Sequence, residues 1–286
     1  MLKKVVFFIE YLPEHELAGR VFMELWRQGI EAERKNPEEA EKLLQSLKKG
    51  HKAPDATDAE AETEGVLIVT DMPEVAERFW YMDVAVIGYL HEKNRDASFS
   101  GISYLVEDFS GVDSAYCRMV YARAHGLPLT ILQTKRCIVR EMTEDDLDRL
   151  YEIYADPSVT AYMEPLFEDP DEERAYIRNY IERIYAFYGF GLWSIFEKES
   201  GRLIGRAGVE QKEEYVELGY LIAPEYQKQG YATEVCREIL MYAEGTLGLS
   251  GIRAMVHRDN AASVRLCEKL GFRYTGDEGL YRCFVR

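Results

Sequence analysis

Residues 223–234, Ala-Pro-Glu-Tyr-Gln-Lys-Gln-Gly-Tyr-Ala-Thr-Glu, constrain this chain more than any other stretch. An apolar run, 216–222, leads into them, and an amphipathic helical pattern leads out. Between the two lie Gln227, Gly230 and Ala232, a strand-to-helix turn with a glycine at its centre. A turn of this kind aims several backbone N–H groups at one point on the positive end of a helix dipole. The expectation is an anion site suited to a pyrophosphate.

The 286 residues suffice for two domains, each with its own core. In the first half, 3–10 reads as a buried strand and 13–28 as a helix, with Leu17, Val21, Phe22 and Leu25 at helical spacing. A second helix over 37–49 carries Ala40, Leu43, Leu44 and Leu47 on one face. Residues 50–65 have no large apolar side chain between their bounding glycines and read as a mobile acidic loop. Strand patterns at 66–70, 84–89 and 102–107 follow, with a helix over 112–125 closed by Gly126. Strands alternating with helices predict a three-layer, Rossmann-like α/β domain over residues 1–134 with a mainly parallel sheet. Asp71 and Asp108, at strand ends, read as helix caps and turn formers.

From 135 to 286 the pattern changes to β-α-α-β-β-β-α-β-α-β-β, a mixed-sheet α+β domain. Thr143-Glu-Asp-Asp146 has the form of a capping box, and a second helix is predicted over 169–187. Three antiparallel strands then lead to the glycine turn, with a hairpin at Gly201 between the first two.

Composition narrows the function. With 35 basic and 51 acidic residues the net charge is −16, which disfavours binding to nucleic acid or an anionic membrane; the acidic excess reads first as a solubility feature, with a cationic partner as the alternative. The five cysteines are scattered and include no C-x-x-C pair, which argues against a disulfide framework and a structural zinc site, so no metal is expected. No run is long enough for a membrane span, and the apolar start reads as a strand rather than a signal peptide; a cytoplasmic protein is the default expectation.

Two resemblances follow from these residues. Val-Leu-Ile-Val-Thr-Asp71, then Pro73-Glu-Val-Ala, then Val84-Ala-Val-Ile-Gly-Tyr89 resembles the later half of a haloacid-dehalogenase (HAD) unit. HAD hydrolases carry two aspartates at the end of the first strand, where this chain offers only Glu10, so the resemblance implies a non-catalytic relative. In the second half, four elements in order resemble the GNAT superfamily of N-acetyltransferases. They are Glu217-Leu-Gly-Tyr220, Pro224 with Gln227-Lys-Gln-Gly-Tyr-Ala-Thr-Glu234, Asn260-Ala-Ala-Ser263, and Leu266-Cys-Glu-Lys-Leu-Gly-Phe272. The likeness is closest to the subgroup of the ribosomal-protein alanine acetyltransferases.

The GNAT resemblance implies acetyl-CoA as co-substrate, its pantetheine arm lying along the backbone of Leu221, Ile222 and Ala223 where two parallel strands splay. Its pyrophosphate would rest on the turn formed by Gln227, Lys228, Gln229, Gly230, Tyr231, Ala232 and Thr233. Asn260 and Ser263 would touch the pantetheine region; their alternative reading is a helix N-cap and a first-turn residue. An amine would attack the thioester directly in a ternary complex, with a backbone N–H of 219–221 as oxyanion donor. Glu217 is the candidate base, acting through water, with Glu210 behind it and a surface charge as the alternative. Cys267 stands where many relatives carry the tyrosine that protonates the thiolate; it reads either as that acid or as a core residue. Tyr220 and Tyr281 are substitutes for that role, and His257 reads as a strand-end residue. The loop 156–169, with Tyr162, Met163, Glu164 and Phe167, suits a small-molecule or peptide amine acceptor that is cationic with an apolar flank. The alternative is an acyl-CoA sensor without turnover.

Overall fold

The computed structural model describes residues 1–11, 20–50 and 65–286. The acidic loop expected at 50–65 lies, apart from its bounding glycines, outside the described residues, as does Leu17. The chain forms two compact units, Met1–Leu127 and Pro128–Arg286. A boundary after 134 would have removed strand Thr130–Gln133, which pairs with Cys137–Glu141 at the edge of the second sheet. Four half-polar residues at a sheet edge give no periodic signal, so the sequence reads them as a linker.

The first unit runs β1 (Lys4–Phe8), α1 (Arg20–Arg27), β2 (Glu31–Arg34), α2 (Glu39–Gly50), β3 (Val66–Thr70), α3 (Pro73–Trp80), β4 (Ala85–Tyr89), β5 (Leu105–Val106) and α4 (Ser114–Ala124). Its five strands are all parallel, in the order β2-β1-β3-β4-β5. Strand alternation sends Val5 and Phe7 into a core with α1 and α4, and Val6 and Phe8 into one with α2 and α3. Both faces are therefore covered, which is why β1, β3 and β4 read as continuous apolar runs. The sequence missed β2: Glu-Ala-Glu-Arg is an edge strand whose charges pair outward, Lys4 reaching Glu31 at 3.1 Å and Glu33 at 2.8 Å. Asp71 is not a helix cap, because Met72 holds that position on α3. Its carboxylate instead accepts the N–H groups of Glu10 at 3.0 Å and Tyr11 at 2.8 Å and lies 3.2 Å from His91 Nε2. Asp108 does form a turn, accepting the Ser110 N–H at 2.7 Å.

The second unit runs β6 (Thr130–Gln133), β7 (Cys137–Glu141), α5 (Leu147–Tyr154), α6 (Pro157–Thr160), α7 (Pro170–Asn179), a π-helical turn (Tyr180–Tyr185), α8 (Ala186–Tyr188), β8 (Leu192–Glu197), β9 (Leu203–Gln211), β10 (Val216–Ile222), α9 (Tyr231–Gly245), β11 (Arg253–His257), α10 (Ala261–Lys269), β12 (Arg273–Glu278) and β13 (Tyr281–Val285). The sheet order is β12-β13-β11-β10-β9-β8-β7-β6, antiparallel except between β10 and β11. Helices α5 and α7 pack with Leu203 and Leu221, while α9 and α10 pack with Ala207, Val209 and Leu218. The Thr143–Asp146 capping box forms, and Asp146 also binds the Arg140 guanidinium at 2.7 Å. The helix expected over 169–187 changes to π-helix at Tyr180. Among the described residues no helix is long and apolar enough to cross a membrane, and all five cysteines are free and buried.

Candidate active site

Strands β10 and β9 pair at seven consecutive positions, from Val216–Gln211 to Ile222–Gly205. On its other side β10 meets the parallel strand β11 at one, Glu217 opposite Arg253. From Gly219 onward that edge of β10 has no strand partner among the described residues. A central strand with an unpaired edge is where an extended group can lie along the backbone.

The edge leads into the glycine turn. Lys228 and Gly230 both take left-handed backbone, at φ 59° and 86°. Gly230 is the N-cap of α9, and no side chain caps the helix. The first-turn N–H groups of α9 thus point outward from a concave backbone, the geometry that takes a phosphate oxygen. At Lys228 the same geometry costs a side chain about 1–2 kcal/mol, strain of the kind that concentrates at functional turns. Gln227 faces inward: its amide donates to the Ile222 carbonyl at 3.0 Å and closes the turn onto β10. Gln229 does the same to Glu225 at 2.8 Å. Tyr231 is buried, its hydroxyl donating to Glu197, so its contribution to the turn is its backbone.

Arg136, which sequence reasoning passed over, braces this turn. Its guanidinium donates to the Gln229 carbonyl at 3.0 Å and to Glu234 at 2.7 Å, and stacks 4.0 Å from the Tyr231 ring centroid. Glu234, in the first turn of α9, also accepts from the Thr134 hydroxyl at 2.6 Å, so its charge is spent before it can oppose an anion. The signal lies in two segments a hundred residues apart, which no local pattern joins.

On the face of the sheet beneath α7, Glu217 and Glu210 are register partners and project side by side. Burial pushes the Glu217 carboxyl above its ordinary value, against the opposing pull of Lys212 and of the Met255 N–H. Glu217 stands on β10, between β9 and β11 in the strand order, and so is no sheet-edge charge. Glu210 accepts the Tyr180 hydroxyl at 2.8 Å, and its other oxygen lies 3.3 Å from Lys212 Nζ. Tyr180 in turn accepts the Leu192 N–H at 2.8 Å. A Cβ on Gly191 would lie 2.6 Å from that hydroxyl, so the approach requires glycine there. The π-helical turn that sets Tyr180 has no sequence signature in this chain.

On the opposite face Tyr220 reaches α10, its hydroxyl 2.7 Å from Ser263 Oγ. Burial raises that phenol to about 12. Asn260 caps α10, accepting the Ser263 N–H at 3.1 Å, so the structural reading of both residues is realised. Cys267 lies in the core with Val235, Cys236 and Ile239, its thiol raised to about 11 by burial. His257 ends β11 with its ring 5.3 Å from Tyr162, and Tyr281 stacks edge-on against it at 5.8 Å. Among the described residues no group of three or more His, Cys, Asp or Glu is arranged to hold a metal.

The acetyltransferase (GNAT) domain family matches residues 136–273. The uncharacterized N-acetyltransferase YoaA of Bacillus subtilis is 33% identical over 149 residues, which are 51% of this chain and 84% of that protein. This chain belongs to the GNAT acetyltransferase family. The uncharacterized N-acetyltransferase p20 of Bacillus licheniformis is 31% identical over 54% of this chain and 87% of its own. A solved GNAT-family acetyltransferase from Bacillus anthracis aligns over 54% of this chain and 95% of its own, with a TM-score of 0.46 and 21% identity. The matched span of the acetyltransferase domain contains the splayed strands, the glycine turn and Glu217. It also contains Arg136 and Tyr180, neither of which the sequence marks as a site residue.

Proposed function

We propose that this protein moves an acetyl group from acetyl-CoA to a primary amine by direct attack in a ternary complex. The observation that carries the reading is the unpaired edge of β10 running into an uncapped helix N-terminus. One element offers an extended thioester arm a backbone to lie along, and the other offers its pyrophosphate a set of N–H donors. Leu221, Ile222 and Ala223 supply the edge, and Lys228 to Thr233 the donors, with Lys228 adding charge. Gln227 and Gln229 act by holding the turn closed. Asn260 and Ser263 hold the start of α10 beside the arm.

In the transfer a C–N bond forms as the C–S bond breaks, and two protons must move. Glu217 takes the ammonium proton through water; its desolvated carboxylate is a better base than an exposed one. A backbone N–H of 219–221 receives the oxyanion. At the leaving sulfur Tyr220 is the preferred candidate donor, since it stands on β10 itself and its hydroxyl is held from α10 by Ser263. Cys267 then serves packing. The acceptor enters over Glu217 and Glu210, beside Tyr176 and Phe167, whose rings lie 6.0 Å apart. Carboxylates next to aromatic faces favour a cationic amine with an apolar flank. A peptide N-terminus, as for the ribosomal-protein acetyltransferases, is one member of that class. The first unit is read as a non-catalytic, HAD-like relative, since the end of β1 offers Glu10 alone and its N–H is tied to Asp71.

The test is to incubate the protein with acetyl-CoA and a panel of polyamines, amino acids, aminoglycosides and N-terminal peptides, reading free thiol. Turnover on an amine is the expected result. Tight acetyl-CoA binding without turnover on any of them would favour a sensor, and absence of binding would refute the reading.

A further inference from the structure

The acceptor face of the sheet holds a cation that the reaction as proposed does not use. Arg206 stands on β9 opposite Leu221 of β10. Two steps along the same face come Gly208 opposite Gly219, and two further come Glu210 opposite Glu217. The middle position thus has no side chain of its own: the Gly191 carbonyl comes within 1.9 Å of where a Gly208 Cβ would be, and the Leu192 side chain lies 3.3 Å from where a Gly219 Cβ would be. One face therefore presents a guanidinium and a pair of carboxylates about 13 Å apart along the strand, with backbone between them. The half-exposed Tyr176 hydroxyl feels both ends, Glu210 raising its pKa and Arg206 lowering it, after the larger effect of burial.

Arg206 is half-buried, and among the described residues it makes no ion pair. Its guanidinium sits 5.1 Å from the Tyr154 ring centroid and donates from Nη2 to the Tyr154 hydroxyl. Its Nε–H is buried and meets no acceptor. Three other arginines of the unit are spent on carboxylates: Arg140 on Asp146, Arg149 on Glu152, Arg178 on Glu144. A partly desolvated guanidinium with unspent donors is costly unless an anion completes it. Its planar fork matches a carboxylate, and its packing on Tyr154 fixes the fork in advance.

We infer that Arg206 determines acceptor specificity: it receives an anionic group, a carboxylate, on the same molecule whose amine is presented to Glu217 and Glu210. The acceptor is then an amine that also bears a carboxylate, with a spacer between the two. This rests on the acetyltransfer reading and narrows its substrate class. The cationic end is the reacting amine, and the far end is anionic.

The experiment compares ω-amino acids of increasing chain length with their methyl esters, using the full-length protein, acetyl-CoA and free-thiol release. Acetyl-CoA binding is measured separately by calorimetry. The expected result is a preference of about tenfold or more in kcat/KM for the free acid at the best chain length, the scale of a charge-assisted hydrogen-bonded pair. In Arg206→Gln that preference collapses through a higher KM for the acid, with kcat held. Arg206→Lys keeps a charge but not the fork, and should retain only part of the preference, which separates recognition from misfolding. Equal rates for acid and ester would overturn the inference while leaving acetyltransfer intact. So would turnover confined to amines without a carboxylate, or an Arg206→Gln effect on the acetyl-CoA KM alone. Loss of acetyl-CoA binding by the unaltered protein would instead remove the underlying reading.

Discussion

Glu217 holds its proton more tightly in the folded chain than the ordinary value of 4.5, chiefly through burial. A group with a raised folded pKa contributes stability that is complete below the unfolded value and is lost as pH rises through the folded one. Glu217→Gln should therefore raise Tm at neutral pH and lose that advantage below pH 4.5. If Glu217 is the base, the same substitution should lower kcat about 10²-fold or more in a thiol-release assay, because general-base contributions are of that size. Normal activity in Glu217→Gln would move the role to Glu210. Tyr220 and Cys267 are separable in the same way. Tyr220→Phe should lower kcat with little change in either KM, whereas Cys267→Ala should keep kcat and cost about 1 kcal/mol of stability by opening a small core void. The reverse pattern would restore the thiol as the acid.

At the level of elements, the turn before α9 is proposed to bind through its backbone, so its side chains would matter by shaping it. Gly230 has φ 86°, where a branched side chain is strained by about 1–2 kcal/mol. Gly230→Val should raise the acetyl-CoA KM about tenfold while leaving the acceptor KM near its original value, measured by varying each substrate in turn. The junction between β8 and the π-helical turn is set by another glycine. A Cβ on Gly191 would stand 2.6 Å from the Tyr180 hydroxyl and 3.0 Å from the Tyr185 ring. Gly191→Ala should cost about 1–3 kcal/mol in denaturant unfolding, as overpacking does. It should also loosen Glu210, which relies on that hydroxyl.

Across the whole molecule, the two units are each built around their own sheet, and the strand at the start of the second forms the edge of its sheet. Thr134 and Arg136 reach across to Glu234 at 2.6 and 2.7 Å, so the segment before β7 holds the first turn of α9. A fragment of residues 128–286 should fold and bind acetyl-CoA. One that begins at 135 lacks β6 and the Thr134 bonds. It should melt lower, by about 2–4 °C for each kcal/mol lost, and bind acetyl-CoA more weakly. Equal melting of the two fragments would show that β6 is dispensable. Calorimetry on both fragments decides between these outcomes.

The sequence by itself determined the features that one segment can encode. Phe7 and Phe8, buried to opposite sides, mark a strand covered on both faces. The Thr143 capping box and the Gly230 turn announce helix starts, and the linked motifs from Glu217 to Phe272 named the family. Each depends on spacing within a few residues, or on order along the chain, and both are written in the sequence. Tertiary structure decided what depends on juxtaposition. Only the fold put Arg136 against Glu234, Tyr180 against Glu210, and Tyr220 against Ser263. It alone left Arg206, two steps from a paired glycine, without a carboxylate among the described residues. A hydrogen bond between distant segments leaves no periodicity behind it, and whether a charge is spent or free depends on which neighbours packing brings within reach.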